Sequence, residues 1–203
     1  MKKLTIVFFF LLLAFNAFST AQIPDRIIYK DTIYSLHTNP LNEFFKKNPD
    51  KKPKPSMMSS ALWRGYVATF EIINNQLILK DIEIKESASF EEMIKEDYEE
   101  KWRSVLNEVF PNQDTVKMDW YSGVLVIPYG KRKQYIHMGY ASLFSNYILL
   151  EINNGELKEE KEMDGEEYQK FRKDYYEAYK KTEEYKKLME RIEQNPSLRM
   201  DEI

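Results

Sequence analysis

The sequence predicts a single α+β domain with a mainly antiparallel sheet, built from hairpins and packed against two helices. Strand-like segments are joined by short turns rich in Asn and Gly, which is typical of hairpins. Two longer segments carry apolar residues at helical spacing. The chain has 203 residues, of which 43% are hydrophobic. This length suits one domain with a sizeable core.

The composition excludes several classes of protein. The chain has no Cys and only six Gly. Without Cys it can form no disulfide scaffold, no thiolate zinc site and no Cys nucleophile. No segment has the spacing of a Gly-rich phosphate loop, and the length excludes a large multidomain enzyme.

Residues 1–21 are predicted to be a signal peptide. Residues 6–15 are almost all apolar, and Ser19 and Ala21 place small side chains before a cleavage site. The alternative is an uncleaved anchor, but the apolar run is about half of the ~20 residues that a spanning helix needs. The leader takes two of the 30 basic residues and none of the 33 acidic ones, so the remaining chain has a net charge of −5. We therefore expect a secreted or periplasmic protein without membrane insertion after cleavage.

The first half of the mature chain is predicted to hold two hairpins around a basic loop. Lys30-Asp31 and Asn74-Asn75 separate strand-like segments as tight turns. A break in the alternation near Asp81 predicts a β-bulge. The Lys/Pro-rich loop suits solvent, and we expect no nucleic-acid partner because the mature chain is acidic. The expected elements are strands over 26–29 and 32–36, a helical turn over 41–45, the loop over 46–58, and strands over 62–73 and 77–84.

The second half is predicted to contain both long helices. The first covers about 90–110 after a cap at Ser87 or Ser89, and Ser89 has capping-box spacing with Glu92. The last covers about 166–194 after an Asp164 cap and carries a stripe rich in Tyr. We expect this stripe to dock on the sheet, with self-association as the alternative.

Four strands are predicted between the helices. Pro128 indicates that the most apolar of them lies at an edge or ends there, because Pro donates no ladder hydrogen bond. Asn153-Asn154-Gly155 marks a further hairpin turn. The four strands cover 120–129, 134–138, 147–152 and 156–162.

Two parts of the chain resemble each other. Each has a Gly-Tyr pair, a Glu-Ile pair, an Asn-rich turn and a predicted helix. The first begins at Gly65-Tyr66 and the second at Gly139-Tyr140. A duplication would give two ββα half-repeats, and recurrence by chance is the alternative.

Several dense segments combine aromatic residues, a Gly and a polar group. They are WRGY at 63–66, ATFEI at 68–72, DWYSG at 119–123 and YIHMGY at 135–140. Together they resemble a family of uncharacterised bacterial proteins, over about residues 26–160. That family has no assigned activity, so the resemblance implies one bacterial domain and supplies no catalytic residues.

Eight residues of these segments are candidates for ligand binding, since exposed rings beside polar groups suit stacking on a sugar or a partner side chain. The alternative is that the rings belong to the core. Arg64 must be paired or exposed, and we expect it to pair with Asp119 or to stack on Trp120. The candidates are Trp63, Arg64, Tyr66, Asp119, Trp120, Tyr121, His137 and Tyr140.

No catalytic residue, metal site or cofactor is assigned. Ser122, His137 and Asp119 form the best candidate triad, but no strand–turn–helix elbow surrounds the Ser. His37 and His137 lie 100 residues apart and lack metal-ligand spacing. Acidic residues are so frequent that the choice of a glycosidase pair is arbitrary.

The sequence therefore predicts an exported, non-catalytic binding protein whose ligand is a protein or a surface glycan. An immunity-type protein that blocks a toxin is a narrower version of this function. One alternative is a small periplasmic hydrolase that uses His137 with a nearby acid. Another is an envelope component that assembles through the last helix.

Overall fold

The computed structural model describes residues 21–54, 59–94 and 99–194. Residues 1–20 of the predicted signal peptide lie outside the described residues. The chain divides into two compact units, Met1–Glu162 and Met163–Ile203. Within the described ranges, no helix has both the length and the apolar character needed to cross a membrane.

Nine strands and five helices make up the described chain. The strands are β1 (Asp25–Tyr29), β2 (Thr32–Leu36), β3 (Val67–Ile73), β4 (Gln76–Lys85), β5 (Trp102–Ser104), β6 (Val116–Lys117), β7 (Gly123–Gln134), β8 (Leu143–Asn153) and β9 (Glu156–Asp164). The helices are α1 (Asn42–Lys47), α2 (Phe90–Met93), α3 (Leu106–Val109), α4 (Gly165–Tyr179) and α5 (Glu183–Gln194). Short 3-10 turns cover Pro49–Lys51 and Ser60–Leu62.

The strands form one mixed sheet with the order β2-β1-β3-β4-β9-β8-β7, and β5 and β6 also pair with β4. Among the described pairings, β1 and β3 are parallel, whereas the hairpins are antiparallel. The predicted α+β class with a mainly antiparallel sheet is confirmed. Pro128 lies on β7, the last strand of this order, as its missing N–H group predicts.

Tight two-residue turns set the register of three hairpins, β1–β2, β3–β4 and β8–β9. The central residues Lys30-Asp31 and Asn74-Asn75 all have φ between 49° and 61°. Asn154 has φ 48° and Gly155 has φ 75°. Positive φ at both central positions gives the turn a twist that matches that of the strands. The three predicted turns are therefore confirmed.

The predicted bulge near Asp81 is also confirmed. Thr69 pairs with Asp81, but the next residue, Phe70, pairs with Leu79. Lys80 is therefore the extra residue of β4, and the alternation of its side chains changes phase there.

The turns of hairpins β3–β4 and β8–β9 contact each other in a reciprocal way. Leu77 donates its N–H to the carbonyl of Gly155 at 2.7 Å, and Leu157 donates to the carbonyl of Asn75 at 2.8 Å. Equivalent residues lie 80 positions apart, so the joint has local two-fold pseudo-symmetry. The elements after the hairpins differ, since α2 has 4 residues and α4 has 15. Duplication remains a prediction.

The two ends of the sheet approach each other. His37, just after β2, donates its N–H to the carbonyl of Val126 at 2.8 Å. Val126 in turn donates to Thr38 Oγ1 at 3.0 Å. This curvature encloses the apolar faces of the strands, and burial of each large aliphatic side chain stabilises the fold by about 1.5–3 kcal/mol. Fully buried core residues include Ile27, Leu36, Leu41, Phe70, Leu77, Leu79, Ile82, Leu125 and Leu150.

The predicted continuous helix over 90–110 is wrong, because only Phe90–Met93 and Leu106–Val109 are helical among its described residues, and residues 95–98 lie outside the described residues. Its start is correct, because Ser89 and Glu92 form the expected reciprocal capping bonds. Strand β5 then pairs with β4, with Trp102 opposite Lys85. The strand and the short helix after it bury Val105, Leu106 and Val109, and the strand also supplies hydrogen bonds to the edge of β4.

Two other predicted boundaries need correction. The strand expected over 134–138 is absent from the described chain, because β7 ends at Gln134 and turns follow it. Met138 donates its N–H to Ile136 at 2.9 Å, and Ala141 donates to Met138 at 2.9 Å. The strand expected from residue 62 starts at Val67.

The second unit contains two helices where one was predicted over 166–194. Asp164 and Glu167 form a capping box at the start of α4, as predicted for Asp164. Thr182 separates the helices, since its hydroxyl donates to the carbonyl of Tyr179 at 2.7 Å and accepts from the N–H of Tyr185 at 3.2 Å. A Thr that caps a new helix in this way ends the preceding one. Docking and self-association of the Tyr-rich stripe remain predictions.

Candidate functional site

The predicted site residues separate into a buried polar cluster and an exposed groove. Arg64, Tyr66 and Tyr140 belong to the cluster. Trp120 and Tyr121 line the groove. The other three candidates, Trp63, Asp119 and His137, are exposed and do not line the groove.

Arg64 is the centre of the buried cluster and is only 2% exposed. Its Nη1 donates to the hydroxyl of Tyr140 at 2.6 Å. Its Nη2 donates to the carbonyl of Ile23 at 2.9 Å and to Asp25 Oδ1 at 3.2 Å. The prediction that Arg64 pairs with Asp119 is therefore wrong, because the acid that pairs with Arg64 is Asp25.

Asp25 is fully buried, and its Oδ1 also accepts the N–H of Ala68 at 2.9 Å. Its Oδ2 has no hydrogen-bond partner among the described residues. Burial raises the pKa of Asp25 to about 6, although the charge of Arg64 acts in the opposite direction. Burial likewise raises the pKa of Tyr140 to about 12.

The cluster connects segments that are distant in sequence. The hydroxyl of Tyr140 donates to Asn39 Oδ1 at 2.9 Å. The ring of His37 stacks on that of Tyr140, with centroids 4.8 Å apart. Arg64 and Asp25 complete the connection to the first strand. Among the described residues, Asp25 Oδ2, Arg64 Nε and the Tyr66 hydroxyl have no hydrogen-bond partner. Because the other polar atoms of the cluster join distant segments of the domain and Arg64 and Asp25 are buried, we interpret the cluster as a structural element.

The groove lies between helix α1 and the segment that precedes β7, and its cavity volume is about 480 Å³. Small-molecule sites commonly have volumes of ~300–1,000 Å³. The lining residues are Pro40, Glu43, Phe44, Lys47, Asn48, Trp120, Tyr121 and Ser122.

Trp120 is the main apolar surface of the groove and is 41% exposed. Its ring lies 5.4 Å from that of Phe44 and 6.0 Å from that of Phe110, in tilted and stacked arrangements. Phe44 and Phe110 also contact each other, with centroids 5.0 Å apart. The indole is thus held by two other rings and still presents a large part of its surface to solvent.

Hydrogen bonds fix the backbone around Trp120. Tyr121 donates its N–H to the carbonyl of Met118 at 3.0 Å, and its own carbonyl accepts from Gly155 at 2.8 Å. A Cβ on Gly155 would lie 2.6 Å from the carbonyl oxygen of Met118, so only Gly permits this approach. Ser122 Oγ accepts the N–H of Asn154 at 2.9 Å. The backbone beside the groove is therefore held in place by the turn of hairpin β8–β9, which also contacts the turn of hairpin β3–β4.

Polar side chains surround the aromatic surface. Glu43 and Lys47 come from α1, and Asn48 is held in place by its Nδ2, which donates to the carbonyl of Phe44 at 2.9 Å. Lys51 places its Nζ 5.8 Å from the centroid of the Phe44 ring. Such a site can stack on a planar or apolar face while it hydrogen-bonds to polar groups at the edge of the same ligand.

Two residues of the candidate triad, His137 and Ser122, contact other groups. The ring of His137 is exposed and meets that of Tyr135 edge-on, with centroids 4.4 Å apart. The Ser122 hydroxyl donates to Asn153 Oδ1 at 3.4 Å and accepts the N–H of Asn154. Both partners belong to the turn of hairpin β8–β9. The groove lining does not include His137. Within the described ranges, no group of three or more His, Cys, Asp or Glu side chains is arranged to hold a metal ion.

Sequence reasoning missed Phe44, which lines the groove, and the buried Phe110, which packs against Phe44 and Trp120. Phe44 lies on the helical turn that the sequence predicted, but as part of a Phe-Phe pair it resembles a core residue. The useful signal was the neighbouring charge: Glu43, Lys46 and Lys47 mark α1 as a surface helix, on which Phe45 is buried and Phe44 is only partly buried.

Comparisons of the chain with protein families, with curated proteins and with solved structures found no match. The resemblance to a family of uncharacterised bacterial proteins remains a prediction. Any functional conclusion therefore has to come from the geometry of the chain itself.

Proposed function

We propose that the chain is an exported, non-catalytic binding protein that recognises its ligand through the groove at Trp120. The ligand class is a protein or a surface glycan, and the groove favours the pyranose ring of a glycan. An immunity-type role is the protein-binding version of the same proposal.

The exposure of Trp120 carries this proposal. Its indole stacks on Phe44 and Phe110, yet it is 41% exposed. An aromatic residue on a rigid support beside a cavity is typical of a binding surface, because stacking there needs little ordering of the protein.

The polar rim favours a sugar over a purely apolar ligand. A pyranose has an apolar face that can stack on an indole and hydroxyl groups at its edge. Glu43, Lys47 and Asn48 lie where they can donate to and accept from those hydroxyls. Lys46 pairs with Glu43 at 3.7 Å and moderates its charge, so the rim suits a polar ligand of low net charge.

The experiment compares two tryptophans of equal exposure. Trp120 in the groove is 41% exposed and Trp63 outside it is 43% exposed. The chain from Gln22, its Trp120→Ala variant and its Trp63→Ala variant would be labelled and applied to an array of bacterial surface oligosaccharides. We expect Trp120→Ala to weaken binding at least about thirtyfold, as removal of a central aromatic contact does. Trp63→Ala should bind like the unchanged chain.

A second arm tests for a protein ligand. The same three proteins would be immobilised, and binders from native envelope and medium fractions would be identified by mass spectrometry. A stoichiometric partner lost only with Trp120→Ala supports the protein version. Equal loss with both variants, or binding that survives Trp120→Ala in both arms, contradicts the proposed site.

A further inference from the structure

The tip of hairpin β7–β8, residues 130–142, carries a concentrated positive charge. Lys131, Arg132 and Lys133 are consecutive and all exposed. No acidic residue occurs between Asp119 and Glu151, although the whole chain has a net charge of −3. This tip is therefore cationic on a protein that is acidic elsewhere.

Apolar side chains are exposed beside these cations. Met138 is 58% exposed and Tyr135 is 46% exposed. The guanidinium of Arg132 lies 4.9 Å from the centroid of the Tyr135 ring. The tip thus presents apolar and cationic groups together, and not cations alone.

A second segment lies against the same tip. Gln22 donates its N–H to the carbonyl of Gly139 at 3.2 Å, and its side-chain amide donates to the carbonyl of Ser60 at 2.7 Å. Arg64 contacts Tyr140. Trp63, which is 43% exposed, therefore sits in a segment joined to the tip. We call the hairpin tip and residues 60–64 the hairpin end.

The predicted leader enters the domain at this same end. Ala21 forms a β-bridge with Gly139. The apolar run of the leader ends at Phe15, and the six residues from there to Ala21 can span at most ~20 Å. A leader of the predicted kind, held in the membrane while the domain folds, would keep the hairpin end within that distance of the membrane.

We propose that the hairpin end binds the surface of an anionic phospholipid membrane, as a peripheral contact that persists after the leader is removed. The three cations suit anionic headgroups, and the exposed Met138 and Tyr135 suit the boundary between headgroups and acyl chains. An acidic polymer would need only the cations. The basic segment over 46–54 has cations without an exposed large apolar residue among its described side chains, so it is the natural control.

The test measures how a chain that begins at Gln22 partitions between water and lipid vesicles. This chain keeps every described residue except Ala21. Vesicles of phosphatidylcholine mixed with phosphatidylglycerol are compared with vesicles of phosphatidylcholine alone. Each cation near such a surface strengthens binding about fivefold, so Lys131→Gln/Arg132→Gln/Lys133→Gln should weaken it about a hundredfold. The matched variant Lys46→Gln/Lys52→Gln/Lys54→Gln should bind within about twofold of the unchanged chain, because no exposed large apolar side chain anchors that segment at the membrane surface.

Met138→Ser tests the apolar component and should weaken partition several-fold without a change in charge. Equal binding to both kinds of vesicle, or equal losses in the two triple variants, would overturn the proposal. Unchanged partition of Met138→Ser together with full displacement by soluble polyphosphate would assign the surface to an acidic polymer and also overturn it. Trp120→Ala should partition normally, which separates this surface from the groove.

Discussion

The buried cluster around Arg64 and the groove around Trp120 look alike in the sequence but differ in the structure. Each comes from a short segment with a Trp, a Tyr, a Gly and a charged residue. Arg64 is 2% exposed and binds groups within the domain, whereas Trp120 is 41% exposed beside a cavity. The same residue types thus build a structural joint in one place and an accessible surface in the other.

The difference is made by a partner that is distant in sequence. The carboxylate of Asp25, 39 positions before Arg64, forms an ion pair with the guanidinium, and both side chains are buried. Trp120 instead meets Phe44 and Phe110, which cover part of the ring and leave the rest in the groove. Loss of a residue should therefore affect stability in the cluster and binding in the groove.

The largest loss of folding stability is expected for Arg64→Met. The change leaves the buried carboxylate of Asp25 without its charge partner, which should lower the free energy of unfolding by about 3–5 kcal/mol. Urea unfolding followed by circular dichroism would measure it, and Arg64→Lys would serve if Arg64→Met fails to fold. The double change with Asp25→Asn should cost less than the sum of the single changes. Full additivity would show that the two side chains are not coupled.

The next effect is a pH dependence that comes from Asp25. Its pKa is about 6 in the folded chain against an ordinary value of 3.8. Between these pH values the folded chain binds more protons than the unfolded chain, so stability falls as pH rises through this window. The loss amounts to at most about 3 kcal/mol and is complete above about pH 7.

The measurement subtracts the unfolding free energy of Asp25→Asn from that of the unchanged chain at each pH. Surface acids such as Glu92 and Glu160, whose pKa values are lowered by their Ser and Lys partners, act with the opposite sign but are present in both proteins. The difference should decrease from pH 4 to pH 7 and then level off. A constant difference over this range would refute the raised pKa.

A smaller loss of stability is expected for Trp120→Ala. The variant loses the contacts of the indole with Phe44 and Phe110, but the indole is already 41% exposed, so the cost should be about 1–2 kcal/mol. Thermal unfolding of Trp63→Ala provides the comparison at equal exposure. A cost for Trp120→Ala as large as that for Arg64→Met would make the groove part of the core.

The smallest effect is expected for His137→Ala. His137 is exposed, and surface substitutions of this kind usually change stability by less than ~0.5 kcal/mol. Oligosaccharide binding should also be unchanged. The hydrolase alternative predicts otherwise: cleavage of a chromogenic ester or glycoside that disappears in His137→Ala would support catalysis and contradict a pure binding function.

The features that local chemistry determines could be predicted from the sequence. The turns at Asn74-Asn75 and Asn154-Gly155 depend on residues that accept positive φ, and the bulge at Lys80 depends on a visible change of alternation. Ser89 capped a helix as expected. These features need no information from the rest of the chain.

The features that distant segments determine could not be predicted. Trp102 and its neighbours have helical spacing, but the open edge of β4 offers hydrogen bonds that make them a strand. The partner of Arg64 could be any of many acids until β1 is placed beside β3. In the same way, Phe110 packs against Phe44 and Trp120 only because its segment folds back on α1.

The most direct test of the binding site uses the three indole N–H signals of Trp63, Trp102 and Trp120 in a ¹H–¹⁵N NMR spectrum. The ¹⁵N-labelled chain from Gln22 would be titrated with oligosaccharides released from the native cell envelope. We predict that the Trp120 signal shifts and saturates while those of Trp63 and Trp102 stay in place. A shift confined to Trp63, or equal shifts of all three signals, would contradict recognition through the groove.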